Sequence, residues 1–283
     1  MTPAALIVIA WPQAAEMLAA LKAAAPSVTT SLDLGMTRVT LPLAQGMIEL
    51  PGNLRMDADY LQAVVDDPNS CMRVQPDGLY KVSAFSEETG RYYSLYPTSG
   101  APTMLISGIP MHRVKDTDPY ADTRTKIRAA GPLTGDVLDT CTGLGYTALE
   151  AARTARSVTT LELDPTVYEI IRQNPWSAHL FDTPNISPRT GDSATLITEF
   201  ADASFDVIVH DPPMFNLAGE LYGLDFYTQC RRVLRRRGRL FHYIGNPDSK
   251  SGATVTRGVV RRLQEAGFLR VTPHPEAFGV TAA

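Results

Sequence analysis

Four acidic residues, each at or just after the end of an apolar run, carry the chemistry this sequence offers. The stretch Val137-Leu-Asp-Thr-Cys-Thr-Gly-Leu-Gly-Tyr-Thr-Ala148 ends an apolar run in Asp139. A loop with Gly143 and Gly145 follows, and Tyr146-Thr-Ala-Leu-Glu-Ala-Ala-Arg153 then reads as a helix. Strand, tight glycine turn and helix form the first unit of a doubly wound α/β fold that holds a nucleotide-like ligand, since glycine lets the backbone approach where a Cβ would clash. The spacing is not G-x-G-x-x-G, because position 148 is alanine. The next apolar run, Val158-Thr-Thr-Leu-Glu-Leu163, ends near Glu162, 23 residues after Asp139. A carboxylate there suits the two hydroxyls of a ribose held over the glycine loop. An exposed Glu beside a strand end is the plain alternative. Asp164-Pro165 starts a helix, with Asp as N-cap and Pro at the first helical position.

The third run leads into Thr190-Gly191-Asp192-Ser193, where Asp192 suits the exocyclic amine of an adenine and equally the N-cap of the next helix. The fourth, Ser204-Phe-Asp-Val-Ile-Val-His210, runs into Asp211-Pro-Pro-Met-Phe215. Prolines after a strand end fix φ and present free carbonyls. Those carbonyls and the Asp211 carboxylate can hold an amine by its N–H bonds and aim its lone pair at an electrophile. Phe215 offers a stacking face; a rigid loop with Phe215 packed inside is the alternative. His210 and His242 end strands expected to be neighbours, so they can serve as a base or remain buried structural histidines. No third ligand accompanies them, and no metal site is expected.

Placing these groups together requires a particular set of elements. From residue 135 the strands fall near 135–139, 158–162, 186–190, 205–210, 238–244, 268–272 and 277–281. The helices fall near 146–155, 165–173, 192–199, 217–235 and 252–266. Alternation at this spacing predicts a doubly wound, mainly parallel seven-stranded α/β sheet with helices on both faces and an antiparallel final hairpin partner. Functional groups then collect at the carboxyl ends of the strands.

Upstream, 5–10 reads as a buried strand and 12–25 as an Ala-rich helix. Short β segments follow at 37–41, 47–50, 79–84, 91–95 and 103–106, with one helix at about 57–66. The expected division is a β-rich N-terminal domain over 1–116, a linking helix over 117–134 and a catalytic domain over 135–283. The β-rich domain is expected to cover the edge or mouth of the second, with His112 and Arg113 reaching over the site. Asn174-Pro-Trp-Ser177 either lines the substrate entrance or anchors its loop.

The net charge of −4 divides evenly, with 11 Lys/Arg against 13 Asp/Glu in 1–134 and 15 against 17 in 135–283. A nonspecific nucleic-acid binder shows a basic excess, so charge lends that reading no support. The run Arg231-Arg232-Val-Leu-Arg235-Arg236-Arg237-Gly238-Arg239 is expected to close a helix at Gly238, where cations complement the helix dipole. Cys71, Cys141 and Cys230 are few, odd in number and far apart, which fits a reducing cytoplasm. Ala5-Leu-Ile-Val-Ile-Ala10 is too short to span a membrane, and the absence of Lys or Arg before it makes a poor signal peptide.

Asp139-Thr-Cys-Thr-Gly-Leu-Gly145, Glu162, Gly191-Asp192 and Asp211-Pro-Pro-Met-Phe215 occur in the order seen in class I S-adenosylmethionine-dependent methyltransferases, which the chain resembles over 135–283. More narrowly it resembles an archaeal-type predicted methyltransferase family. Its carrying segments are residues 137–148, Asn174-Pro-Trp-Ser177, His210-Asp-Pro-Pro213, Leu217-Ala-Gly-Glu-Leu-Tyr222 and Leu240-Phe-His-Tyr-Ile-Gly-Asn-Pro247.

The resemblance implies a Rossmann-like methyltransferase fold with S-adenosylmethionine as cofactor. Asp139, Thr140, Cys141, Gly143 and Gly145 would hold its methionine part, Glu162 its ribose, and Asp192 with Ser193 its adenine. Asp211, Pro212 and Phe215 form the implied catalytic set, which His210 joins from its place at the strand end. Asp211-Pro-Pro-Met-Phe215 is similar to the Asp/Asn-Pro-Pro-aromatic motif of amino-methyltransferases, except that Met214 intervenes before the aromatic. The implied reaction is an in-line displacement of the sulfonium methyl by an amino nitrogen. The acceptor, whether RNA, protein or small amine, stays open, as does the oligomeric state. Aminopropyl transfer from decarboxylated S-adenosylmethionine is the competing enzyme reading. A noncatalytic scaffold or RNA-binding module is the third.

Overall fold

The computed structural model describes residues 6–215, 217–246 and 252–283. Ala5 of the expected first strand and Pro247 of the last family segment lie outside them. In chain order the N-terminal elements are β1 (Val8–Ile9), α1 (Trp11–Lys22), β2 (Ser27–Thr30), β3 (Val39–Ala44), β4 (Met47–Leu50), β5 (Leu54–Met56) and α2 (Ala58–Val65). Then come β6 (Met72–Gln75), β7 (Gly78–Lys81), β8 (Ser83–Ser86), β9 (Arg91–Tyr96), β10 (Thr103–Ile106) and β11 (Ile109–Pro110). The remainder is α3 (Pro119–Ala130), β12 (Asp136–Asp139), α4 (Tyr146–Ala152), β13 (Ser157–Glu162), α5 (Thr166–Gln173), β14 (Ile186–Thr190), α6 (Ser193–Glu199) and β15 (Phe205–His210). It ends with α7 (Leu224–Val233), β16 (Leu234–Tyr243), α8 (Gly252–Glu265), β17 (Val271–His274) and β18 (Gly279–Ala282).

Two compact units result, one from Met1–Pro119 with Thr166–His179 and the other from Tyr120–Pro165 with Leu180–Ala283. In the first, short antiparallel strands form three sheets, ordered β1-β6-β7, β2-β3-β4-β5 and β11-β10-β9-β8. Asp57 starts α2 by accepting from the Asp59 and Tyr60 amides at 3.0 Å, the bonds an N-cap carboxylate makes to the first free N–H groups. Ile7, Ile9, Met17, Ile48, Met56, Leu61 and Val64 share its core. Although α5 follows a strand of the other unit, it packs on β8 and β9. Trp176, just beyond it, donates from Nε1 to the Leu34 carbonyl at 3.2 Å, which ties that loop to the N-terminal strands. His112 is held within the same unit by the Thr103 hydroxyl, 2.9 Å from Nδ1.

The second unit is built on one seven-stranded sheet ordered β14-β13-β12-β15-β16-β18-β17. Its first five strands are parallel, and β18 runs antiparallel between β16 and β17. This is the expected mainly parallel, doubly wound sheet with an antiparallel end. The chain moves outward from β12 through β13 to β14, then reverses to β15 on the other side of β12. That reversal opens a crevice at the carboxyl ends of β12 and β15. Both edge strands carry a proline, Pro188 in β14 and Pro273 in β17, tolerable where only one side must pair. Leu138, Leu161, Ile208, Leu240 and Val280 are buried in one cluster that α6, α7 and α8 help to cover.

Two local expectations are corrected. The helix expected over 217–235 is a 3-10 turn at 219–222 followed by α7, because Gly223 is extended at ψ 157°. The arginine run does not close a helix at Gly238. α7 ends at Val233, and Gly238 lies inside β16 at an irregularity in its pairing with β15. A Cβ at Gly238 would sit 2.9 Å from Leu234 Cδ2 and 3.0 Å from the Arg235 carbonyl, so glycine permits the tight path. Arg235 pairs with Asp136 and Asp206. Arg232 pairs with Asp202 and donates to the Phe200 and Ile197 carbonyls. Arg239 donates to the carbonyls of Ala130, the last residue of α3, and Pro132 just beyond it. Among the described residues no helix is long and apolar enough to cross a membrane.

Candidate functional site

Register alone brings the acidic residues of the second unit close together. Asp139 pairs across the sheet with Thr160 on one side and Val209 on the other. Glu162 ends the first neighbouring strand, and Asp211 follows His210 at the end of the second. Asp139 is fully buried. Its Oδ2 accepts from the Thr160 hydroxyl at 2.8 Å, while Oδ1 has no hydrogen-bond partner. Burial, reinforced by the Asp211 and Glu162 charges, pushes the Asp139 carboxyl up to about 8 against the opposing bond from Thr160. An unpaired buried carboxylate oxygen suits a cation or N–H donor brought by a ligand.

The glycine loop is folded over this carboxylate. Thr142 N–H donates to the Leu161 carbonyl and Gly145 N–H to the Thr142 carbonyl, both at 2.7 Å. Gly143 and Gly145 are left-handed, at φ +51° and +78°. A Cβ on Gly145 would run into Leu180 Cδ1, whereas Gly143 faces open space. Gly143 N–H donates to Glu162 Oε2 at 3.0 Å, and the Asp164 N–H donates to Oε1 at 3.2 Å. Burial lifts the Glu162 carboxyl to about 7, and these amides hold it from going higher. Burial also pushes the Cys141 thiol well above its ordinary range, so it is not a thiolate nucleophile. Asp192 caps α6 by accepting from Ala194 N–H at 2.9 Å and is exposed. Ser193 donates its hydroxyl to the Thr140 carbonyl at 2.5 Å, which pins the glycine loop to α6.

His210 and His242 are in register on β15 and β16, with ring centroids 4.4 Å apart. The structure therefore brings the two histidines together, but as buried struts. His210 Nε2 contacts the Leu221 carbonyl at 2.9 Å and its Nδ1 the Thr140 hydroxyl at 2.7 Å. A carbonyl can only accept, so Nε2 carries the proton and Nδ1 accepts from Thr140. Burial drives the His210 pKa down to about 3 and His242 well below its ordinary value. With both nitrogens engaged and no exposure, His210 positions its neighbours and has no free nitrogen for base chemistry. Among the described residues no three His, Cys, Asp or Glu side chains are grouped to hold a metal.

The Asp-Pro-Pro loop is held from two sides by residues the sequence reading missed. Tyr222, 2% exposed, donates its hydroxyl to the Pro213 carbonyl at 3.0 Å. Arg262 of α8 fixes Tyr222 in turn, donating to its carbonyl at 2.7 Å. Lys126 of α3 places Nζ 2.7 Å from Asp211 Oδ2 and 3.0 Å from Asp122 Oδ2, with its side chain 4% exposed. Burial alone would lower the Lys126 pKa, but Asp211 and Asp122 outweigh it and keep the ammonium charged. Of the acceptors in this loop, Asp211 Oδ2 is taken by Lys126 and the Pro213 carbonyl by Tyr222. Phe215 is 51% exposed, with its ring edge-on to Tyr222 at 5.4 Å. It is not packed inside, and Met214 and Leu217 beside it are also exposed. No pattern in the sequence marked Lys126, since an Asp122–Lys126 pair four residues apart on a helix normally faces solvent.

A family described as Conserved hypothetical protein 95 matches residues 127–223. Polyamine aminopropyltransferase 2 of Streptomyces coelicolor is 30% identical over 134 residues, 44% of this chain and 24% of that protein. Spermidine synthase in complex with the transition-state analogue AdoDATO has a TM-score of 0.59 at 19% identity, covering 71% of each chain. At that identity the likeness shows the fold, a Rossmann-like fold of the methyltransferase and spermidine synthase type. The uncharacterized protein MJ1233 of Methanocaldococcus jannaschii is 43% identical over 226 residues, which are 79% of this chain and 77% of that one. The chain belongs to the family of MJ1233.

Proposed function

We propose that the chain is an S-adenosylmethionine-dependent methyltransferase that methylates an amino nitrogen. The observation that carries this reading is the fixed Asp211-Pro-Pro loop, anchored through Asp211 Oδ2 and the Pro213 carbonyl beside the buried Asp139 carboxylate. This loop follows the strand next to the glycine loop and is fixed by Lys126 and Tyr222. Asp139 and the 140–145 loop would hold the methionine part of the cofactor, Glu162 the ribose, and Asp192 with Ser193 the adenine. When bound, the cofactor supplies a methyl group activated on a sulfonium. The residues of this chain do the positioning. Asp211 and the Pro212 carbonyl would take the two N–H groups of an amine and leave its lone pair free for in-line attack. Asp211 orients the nitrogen, and the proton leaves after transfer. Phe215 offers a flat face to the acceptor's body.

The test is transfer of labelled methyl from S-adenosylmethionine to RNA, protein and small-molecule fractions offered separately. Wild type labels one fraction, and Asp211→Ala labels none while its cofactor affinity stays within about fivefold, because Asp211 acts on the acceptor. Normal labelling by Asp211→Ala would remove Asp211 from the mechanism.

The second reading is aminopropyl transfer from decarboxylated S-adenosylmethionine. The match to Polyamine aminopropyltransferase 2 favours it, and so does the cluster of Asp139, Glu162 and Asp211. A preference for the decarboxylated cofactor would establish it.

A further inference from the structure

Lys126 occupies a complete ammonium site. Its Nζ touches two carboxylates, Asp211 at 2.7 Å and Asp122 at 3.0 Å. It also lies 3.9 Å from the centroid of the Tyr243 ring. Two acids and an aromatic face are what a protein assembles to recognise an alkylammonium ligand. Three elements supply the parts. α3 gives Lys126 and Asp122, the loop after β15 gives Asp211, and the end of β16 gives Tyr243. The lysine side chain is 4% exposed. Asp122 is itself 2% exposed.

We propose that Lys126 is a built-in plug in an ammonium cage and sets the charge class of the acceptor, so that the site takes an uncharged nitrogen and rejects cationic polyamines. The inference rests on the methyl-transfer reading for the reaction, but the cage stands by itself. A polyamine presenting an ammonium to Asp211 would place a second cation beside Lys126 on a carboxylate with one oxygen already engaged. Like charges in a partly desolvated site repel strongly. An unprotonated amine brings N–H donors to the Asp211 carboxylate without a second positive charge beside Lys126. An ammonium has no lone pair for attack until it loses a proton.

The test uses spermidine and n-propylammonium chloride as probes. Lys126→Ala removes the three carbons and the nitrogen that n-propylammonium restores. The melting temperature of this variant should rise with n-propylammonium, measured against sodium chloride at equal ionic strength, while wild type shows no difference between the two salts. In calorimetric titrations, spermidine should bind Lys126→Ala about tenfold or more tighter than wild type. An identical response of Lys126→Ala to both salts would overturn the proposal. So would spermidine binding to wild type that is lost in Asp211→Asn, because the cage would then be open in the native protein. If Lys126→Ala does not fold, Lys126→Met fills the stem without the charge, and the wild-type and Asp211→Asn titrations still decide. A failure of the methyltransferase reading would appear as a cofactor preference, which these ammonium titrations do not measure.

Discussion

The Thr140 hydroxyl donates to His210 Nδ1 at 2.7 Å, and the opposite nitrogen of the same ring donates to the Leu221 carbonyl at 2.9 Å. One buried imidazole thus ties the glycine loop to the turn that carries Tyr222. His210→Ala should leave the Leu221 carbonyl without its donor and open a cavity, at a cost of about 2–4 kcal/mol. Urea unfolding at neutral pH measures this, and unchanged stability would remove His210 as a strut. The pH dependence has a definite sign. The folded pKa of about 3 lies below the unfolded value of about 6.5. The contribution of the neutral ring is therefore full above about 6.5 and is lost as pH falls toward the folded pKa. That acid-side loss should be smaller in His210→Ala.

Asp139 has the opposite sign. Its carboxyl is pushed up to about 8, against about 3.9 in an unfolded chain. Between these values the folded chain keeps a proton that the unfolded chain has released. Its contribution is full below about pH 4 and declines as pH rises toward 8. Asp139→Asn removes the titration. The variant should melt above wild type at about pH 8, with the gap closing toward about pH 5. Melting curves across that range check it. A gap that stays constant with pH would show that Asp139 is already ionised in the free protein.

The two loop glycines should respond differently to the same change. Gly143→Ala meets open space and bears only the left-handed backbone, a cost of about 1 kcal/mol. Gly145→Ala bears that strain and also runs into Leu180, so its loss should be about 2–4 kcal/mol. Thermal unfolding of both variants compares them directly. Equal losses would mean that the loop relaxes away from Leu180.

The parallel core was legible because each of its strands is a short apolar run ended by a polar residue and followed by turn chemistry, as in Val137–Asp139 and Phe205–His210. The proximity of His210 and His242 followed from that order, but their burial did not. A histidine at a strand end reads the same whether its nitrogens are free or bonded to a carbonyl. The arginine run misled because Arg231–Arg239 looks like a basic helix end. The deciding facts are Asp136, Asp206 and the carbonyls of Ala130 and Pro132, all distant in sequence from Arg235 and Arg239. Lys126 was invisible for a related reason. Its carboxylate partners include Asp211, 85 residues away, and helix spacing alone places it on a solvated face. In the N-terminal unit, β2, β5, β6 and β11 were not singled out because two to four residues with at most two inward side chains barely differ from loop. The placement of α5 against β8 and β9 is a tertiary choice that alternation of strands and helices does not encode.

Glu162 offers the most direct test of the central claim. It accepts from the Gly143 N–H and is the residue proposed to hold the ribose. Calorimetric titration of wild type and Glu162→Ala with S-adenosylmethionine, and in parallel with its decarboxylated form, measures the cofactor site without knowledge of the acceptor. The methyltransferase account predicts tighter binding of the intact cofactor to wild type and about tenfold or greater weakening in Glu162→Ala, with the fold retained. Tighter binding of the decarboxylated form, or binding of neither to wild type, would contradict it.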